Sequence, residues 1–347
     1  MERLRGGVRE GLRAAFGEPL RHSELRQLGL GDHDVQRLLR NGGLQRAHGR
    51  YLDGTGSARL AAIRCALAAH PRSVVSHHTA AELNGLRVWS DDSASRELSD
   101  AVWLTCKPGA DRRNKKRDDL VLRRASLPSA DLRTLQGLPI TSIARTTVDL
   151  ARELPLPEAI VTVDHALATE VRREELELVL RRQRRWPGVR RAQYAIAFGD
   201  PRSESALESI ARALFERAGL PAPVLQAQFW EGQWWADERV DFWWPQFRTI
   251  VEADGLAKFE APTVKQRRRI LRRAFERDQR LADRDLELVH FGWEDAVLRP
   301  AELAGRLKAA FARGSRRTGP PPTWRTADPN DPHHWPRPQA ADLYAAS

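Results

Sequence analysis

The sequence predicts a mixed α/β protein, multidomain and of the α+β kind. It comprises a winged helix-turn-helix at 1–57, an α+β region with a basic linker at 58–200 and an α-β-β-β-α-β domain at 201–312. A disordered tail is expected at 313–347. Three observations carry this reading. The first 57 residues run helix, helix, turn, helix and then two short strands about a glycine. Residues 239–255 hold two apolar runs flanking Pro245, with three carboxylates inside them. Finally, 347 residues with 41% hydrophobic and 30% charged side chains suffice for two or three cores under a polar surface.

The first part is set by local signals. Val8–Phe16 has helical periodicity. Ser23 is placed to cap a helix at Glu24–Leu28, with Gly29 following. Asp32 is placed to cap His33–Arg40, which Asn41-Gly42-Gly43 ends. Leu44–His48 and Arg50–Leu52 then read as a wing about Gly49. In this order the third helix exposes Gln36, Arg37 and Arg40, and the wing exposes Arg46, His48 and Arg50. Those residues suit phosphates and base edges of duplex DNA. A helical packing domain with solvated arginines would share the same composition.

In the middle region Leu60–Ala69 is helical, and Ser76–Leu83 opens another short helix behind Val74-Val75. Ala101–Cys106 and Leu120–Arg123 alternate as strands, joined by the charged loop Gly109–Asp119. Ile143–Arg152 and Pro157–Leu167 are amphipathic helices. Between Arg181 and Arg191 the chain has no acidic residue. That run is either a solvated helix end or a brace for phosphates. His77-His78 lacks a partner at metal-site spacing and reads as local structure, and His333-His334 lies in the expected disordered tail and is not read as a ligand pair.

The third part opens with the periodic helix Ser203–Ala218, closed by Gly219 and Pro221. Strands follow at Val224–Phe229, Trp234–Trp243 and Arg248–Asp254. A long basic helix at Val264–Arg284 then crosses over to a strand at Glu287–Phe291, and Leu303–Phe311 is the last helix. Strand alternation sets Glu252 and Asp254 on one face with Ile250, and Val251 and Ala253 on the other. A hairpin through Pro245-Gln246 brings Asp241 beside them. Apolar strands seldom carry three acids without a cation, and Mg²⁺ (or Mn²⁺) is the cofactor this pattern suggests. Glu208 is placed for a capping box with Ser205, bonding the Ser205 backbone N–H. The tryptophans at 230, 234, 235, 243 and 244 read as core and edge packing, with stacking on an unpaired base as the alternative. From Val264 to Arg284 nine basic residues, Arg268 and Arg272 among them, face three acids, an imbalance that suits a phosphate backbone.

Whole-chain properties agree. A formal charge of +11 and a pI near 10.5 favour a polyanionic partner, with DNA foremost. Cys65 and Cys106 have no metal-ligand spacing and imply a reducing compartment. Neither a signal peptide nor an apolar run of membrane-spanning length is evident, so a soluble, cytoplasmic protein without membrane contact is expected. Phosphate-loop, zinc-finger and nucleophile-elbow motifs are absent. Oligomeric state is left open.

Two resemblances add to this. Residues 201–295 resemble the PD-(D/E)XK restriction-endonuclease-like superfamily in its Vsr-related branch. The resemblance is carried by Glu208, Arg239-Val-Asp-Phe242, Val251-Glu-Ala-Asp-Gly255, Phe275-Glu-Arg-Asp-Gln-Arg280 and Leu288-Val-His-Phe-Gly-Trp-Glu-Asp295. It implies metal-dependent phosphodiester hydrolysis, with Asp241, Glu252 and Lys258 catalytic and with Asp241, Glu252, Asp254 and Glu208 around the metal. The consensus lysine two residues after the second acid is Asp254 here, which leaves Lys258 as the basic candidate. Residues 1–150 resemble the winged-helix antitoxin module AbiEi, including Val75-Ser-His-His-Thr-Ala-Ala81 and Leu83-Asn-Gly-Leu86. That resemblance implies a DNA-binding regulator with a toxin-like protein as partner. The sequence therefore supports a DNA-binding protein with an endonuclease-like domain, or a non-enzymatic regulator whose nuclease fold is degenerate.

Overall fold

The computed structural model describes residues 18–54, 56–89, 100–108, 115–117, 119–169, 171–230, 235–236, 239–254, 272, 276, 279–281 and 284–326. The chain forms two compact units: one of 1–84 with 90–150, the other of 85–89 with 151–347. The architecture is multidomain α+β, as expected.

The first unit begins with α1 (His22–Gln27), α2 (Asp32–Arg40) and the hairpin β1 (Leu44–Ala47)–β2 (Arg50–Asp53). Leu25, Leu30, Val35, Leu44 and Tyr51 close its small core. His48 and Gly49 both take positive φ (49° and 71°), as the tightest hairpin turns require. Two caps differ from expectation. Arg21 rather than Ser23 precedes α1, and Glu24 reaches back to the Arg21 N–H. Asp32 does not cap α2 because His22 and Arg26, each at 2.7 Å, hold its carboxylate; Asp34 bonds the Gly31 N–H instead. The expected helix at Val8–Phe16 lies outside the described residues.

The small side chains of α3 (Ala58–Ala69) let it pack against both the wing and the sheet that follows. That sheet has the order β5 (Lys115–Arg117), β6 (Leu120–Arg124), β4 (Val102–Cys106), β3 (Ser73–Val75), β8 (Leu138–Thr141), β7 (Leu132–Leu135). Ile63, Val75, Leu104, Leu122 and Ile140 fill its core. β4 and β6 run parallel, since β5 intervenes as an antiparallel neighbour of β6. α4 (His77–Leu83) buries His77 and His78 against the Trp103 ring, at centroid distances of 5.2 and 5.0 Å. Cys65 and Cys106 are buried free thiols.

The chain passes to the second unit within α5 (Ile143–Glu153), after Leu150, rather than near residue 200. The reason is α6 (Leu156–Ala168), whose residues from Glu158 to Ala166 are all buried. It packs against α8 (Val189–Phe198) and α9 (Ala206–Arg217), while α7 (Arg173–Arg182) packs on α8. A buried ion pair joins α6 to α9: Asp164 meets Arg212 at 2.7 Å.

The sheet of this unit has the order β12 (Glu287–Phe291), β11 (Thr249–Ala253), β10 (Val240–Trp244), β9 (Val224–Phe229), β13 (Trp324–Thr326). β11 and β12 are parallel, as a crossover demands; the other pairs are antiparallel. Val251, Ala253, Phe242, Trp244 and Phe291 pack with Phe215 of α9 and Phe311 of α10 (Pro300–Gly314). Ile250 and Trp243 join a second core with Phe229, Leu281 and Leu286.

The stretch from 313 read as disordered is ordered to 326. α10 continues to Gly314, Arg317 bridges Asp285 and Glu287, and β13 pairs with the β9 edge. Among the described residues, no helix is long and apolar enough to cross a membrane.

Candidate functional site

In the first unit α2 presents Gln36, Arg37 and Arg40 to solvent. Arg37 holds Asp34 at 2.8 Å across one helical turn, and the exposed Arg46 lies 5.6 Å from the centre of the Tyr51 ring. An exposed pair of that kind costs little to exchange for a phosphate. Arg50 differs from the expectation. It is half-buried and donates to the Ala68 carbonyl on α3 at 3.0 Å, so it braces the wing from behind. Of the residues expected at a DNA face, Gln36, Arg37, Arg40 and Arg46 remain outward.

The second unit gathers the acids. The β10–β11 register ends with Phe242 opposite Val251, and Asp241 and Glu252 are the next residue of each strand. Asp241 accepts the Ala253 N–H at 2.8 Å. Both carboxylates are buried, Glu252 with 1% exposure. On β12, His290 is the register partner of Glu252 and bonds Asp254 at 2.8 Å.

Glu208 faces the same region from the first turn of α9. Its carboxylate accepts from the Glu204 N–H (3.0 Å), the Ser205 hydroxyl (2.7 Å) and the Gln226 amide (3.0 Å), while Ser205 caps Glu208 N–H in return. The capping role is therefore realised, through the Glu204 rather than the Ser205 backbone. Burial, reinforced by the neighbouring Asp241 charge, pushes the Glu208 carboxyl up to about 8. At neutral pH it holds a proton.

Among the described residues no three His, Cys, Asp or Glu side chains form a group able to hold a metal ion. Glu208 is occupied by three donors and Asp254 by His290, so the donors as placed do not fit a divalent cation. Lys258 and Arg268 lie outside the described residues. Arg272 is exposed and pairs with Glu276 at 2.8 Å. Trp243 and Trp244 are buried core, and Trp230 and Trp235 pair at the sheet edge with ring centroids 5.3 Å apart.

Three participants were not singled out in the sequence. Gln226, at φ 53°, turns its amide to Glu208; a polar residue inside the apolar run Val224–Phe229 was the available signal. His290 likewise interrupts an apolar strand. Arg87, in the segment 85–89, donates to the Glu204 carbonyl, and its backbone N–H bonds the buried His165. Burial, with the Arg87 charge, lowers the His165 imidazole to about 4. No local sequence feature marks Arg87, because its partners lie far along the chain.

Comparison with known proteins finds a family resemblance in the middle of the chain. Residues 72–198 match the AbiEi antitoxin C-terminal domain family. The matched span runs from β3 through α8 and holds the motif residues Val75–Ala81 and Leu83–Leu86, but it lies downstream of the winged helix, which moves the resemblance from residues 1–150 to 72–198. The chain is similar to the uncharacterized proteins Rv2248 and MT2308 of Mycobacterium tuberculosis, strains H37Rv and CDC 1551 / Oshkosh. Each is 33% identical over 181 residues, or 51% of this chain and 64% of theirs. The chain thus spans less than two thirds of the length of these curated relatives. Among solved structures, the RV2827C protein from Mycobacterium tuberculosis aligns with 18% identity and a TM-score of 0.39, over 64% of this chain and 82% of that one.

Proposed function

We propose that this chain is a DNA-binding regulator of the antitoxin kind. On this reading the α1–α2 and wing segment docks on duplex DNA, and the AbiEi-like region serves an antitoxin role toward a toxin-like partner protein. The observation that carries it is the AbiEi match over 72–198, directly downstream of a wing whose helix turns Gln36, Arg37 and Arg40 outward. The arginines suit phosphates and guanine edges, and Gln36 suits adenine. The test is binding of the full chain to duplexes from the DNA upstream of its own reading frame. Arg37→Ala with Arg40→Ala is expected to weaken specific binding by about 1–3 kcal/mol for each base edge no longer bonded. It should also flatten the salt dependence by about one in the log–log slope for each phosphate no longer neutralised. Wild-type affinity in that double variant across a salt series would remove the winged helix from DNA recognition.

A second reading is favoured by the row Asp241–Glu252–His290 across three neighbouring strands, with Glu208 facing it. On this reading the second unit hydrolyses phosphodiesters with Asp241, Glu252 and Lys258 as its essential residues, and Mg²⁺ or Mn²⁺ would bind only once Glu208 and Asp254 exchange their present partners for the cation. Plasmid and oligonucleotide duplexes, single strands and mismatched duplexes would be incubated with either cation or with EDTA. Cation-dependent cleavage abolished in Asp241→Ala supports the reading, and intact DNA throughout sinks it.

A further inference from the structure

We infer that the turn between α7 and α8 in the second unit is a surface for a nucleic-acid backbone, built on Arg184, Arg185 and Arg190. From Arg181 to Arg191 the chain places six arginines and no acid. Three of them have local work. Arg181 and Arg182 end α7, where cations offset the negative end of the helix dipole, and Arg181 also meets Glu177 at 3.7 Å. Arg191 donates to the Leu154 carbonyl at 2.8 Å, beyond the end of α5.

The other three are not explained that way. Arg184 and Arg185 lie past the Gln183 C-cap, and no hydrogen bond or ion pair to a described residue holds either side chain. Arg190 sits in the first turn of α8, where the helix field disfavours a cation. All three are exposed, and none has an ion-pair partner among the described residues. Local stability gives no reason to concentrate them here. An external polyanion does.

The turn is also held in one shape. Arg152 donates to Gln183 Oε1 at 2.6 Å and to the Pro187 carbonyl at 2.9 Å, and its guanidinium lies 5.0 Å from the Trp186 ring centre. Gln183 is 1% exposed. Gly188 takes φ +78°, and a Cβ there would stand 2.1 Å from the Arg152 carbonyl oxygen, so the backbone crosses at closest approach. A loop fixed in this way presents its guanidinium groups without paying to order the backbone on binding. Arginine forks match phosphate oxygens in pairs, and closely spaced charges of one sign fit the repeating charge of a nucleic-acid strand. This surface is independent of the winged helix.

The test uses the full chain and a fluorescein-labelled DNA duplex of unrelated sequence, with anisotropy read across a salt series. Substituting Arg184→Gln, Arg185→Gln and Arg190→Gln together should weaken binding and flatten the log-affinity against log-salt slope by about 2.7, from about 0.9 per phosphate released. The three Arg→Lys substitutions should keep the slope. If the triple glutamine chain does not fold, the single Arg184→Gln and Arg190→Gln chains should each lower the slope by about 0.9. Wild-type affinity and slope in the glutamine variants overturn the inference, including the outcome in which the patch serves an acidic protein. Weaker binding here with none in the Arg37→Ala, Arg40→Ala chain keeps this surface and removes the winged-helix reading; the converse removes this surface alone.

Discussion

Glu208→Gln is the substitution that most directly probes the acidic cluster. The wild-type carboxyl moves from 4.5 to about 8 on folding, because it leaves water and faces Asp241. Between those values the folded chain holds a proton that the unfolded chain has released. By linkage, the stabilisation is complete below pH 4.5, declines as pH rises, and is exhausted above about 8. At about 1.4 kcal/mol per unit, the full move corresponds to about 5 kcal/mol. The interval from about pH 5.5 to 8 should then account for about 3 kcal/mol. Glutamine resembles the protonated acid. Its carbonyl can accept from the Glu204 N–H and Gln226, and its amide can donate to the Ser205 hydroxyl, so the cap survives. The assay is urea unfolding followed by tryptophan fluorescence, which Trp243 and Trp244 report from the core beside this site. The glutamine chain should be about 1–2 kcal/mol more stable than wild type near pH 5.5 and about 5 kcal/mol more stable near pH 8.5, with the two equal only below about pH 4.5. A stability difference that stays flat with pH would refute the reasoning and place an ionised Glu208 in the fold. Repeating the series with Mg²⁺ or Mn²⁺ adds a discriminator, since a cation bound by Glu208 and Asp241 would favour the carboxylate and flatten the wild-type slope.

Asp164→Ala strands the Arg212 guanidinium inside the α6–α9 contact and should cost about 3–5 kcal/mol in urea unfolding; a loss below about 1 kcal/mol would show the site relaxing to water. His165 acts in the opposite pH sense to Glu208. Its lowered value means that the unfolded chain binds the extra proton, so stability falls as pH drops from 6.5 towards 4, and His165→Gln should remove that acid-side decline. Gly188→Ala forces a left-handed alanine onto the Arg152 carbonyl and should lower stability by about 2 kcal/mol or more, measured by thermal melting; an unchanged midpoint would refute the fixed-turn geometry.

Much of the local architecture was legible in the sequence. β12 coincides residue for residue with the expected strand Glu287–Phe291, and β9 with Val224–Phe229. Period-two alternation in a run bounded by charged or turn residues leaves little choice. The wing was readable because Gly49 sits between two short strands, one opening on Leu44 and the other carrying Tyr51 and Leu52. The approach of Asp241 to β11 was also visible, since a short turn at Pro245 folds the two strands back on each other.

What failed depends on partners distant in the chain. Asp32 looked like a cap until His22 and Arg26 took its carboxylate, and Arg50 looked like a DNA contact until α3 presented the Ala68 carbonyl. The segment 315–326 has no periodicity of its own. It is ordered because Asp285 and Glu287 receive Arg317 and because β9 offers an open edge. The division between the units moved upstream for the same reason: a helix as apolar as α6 must be buried, and sequence does not say against which neighbour.

The sequence by itself determined the elements, their order and the chemical character of each face, because backbone propensity and the periods of helix and strand act over a few residues. Tertiary structure alone decided which charges stay available. Hydrogen bonds and desolvation act through space, and they set whether an arginine faces solvent, as Arg184 and Arg190 do, or is drawn inside, as Arg152 and Arg212 are.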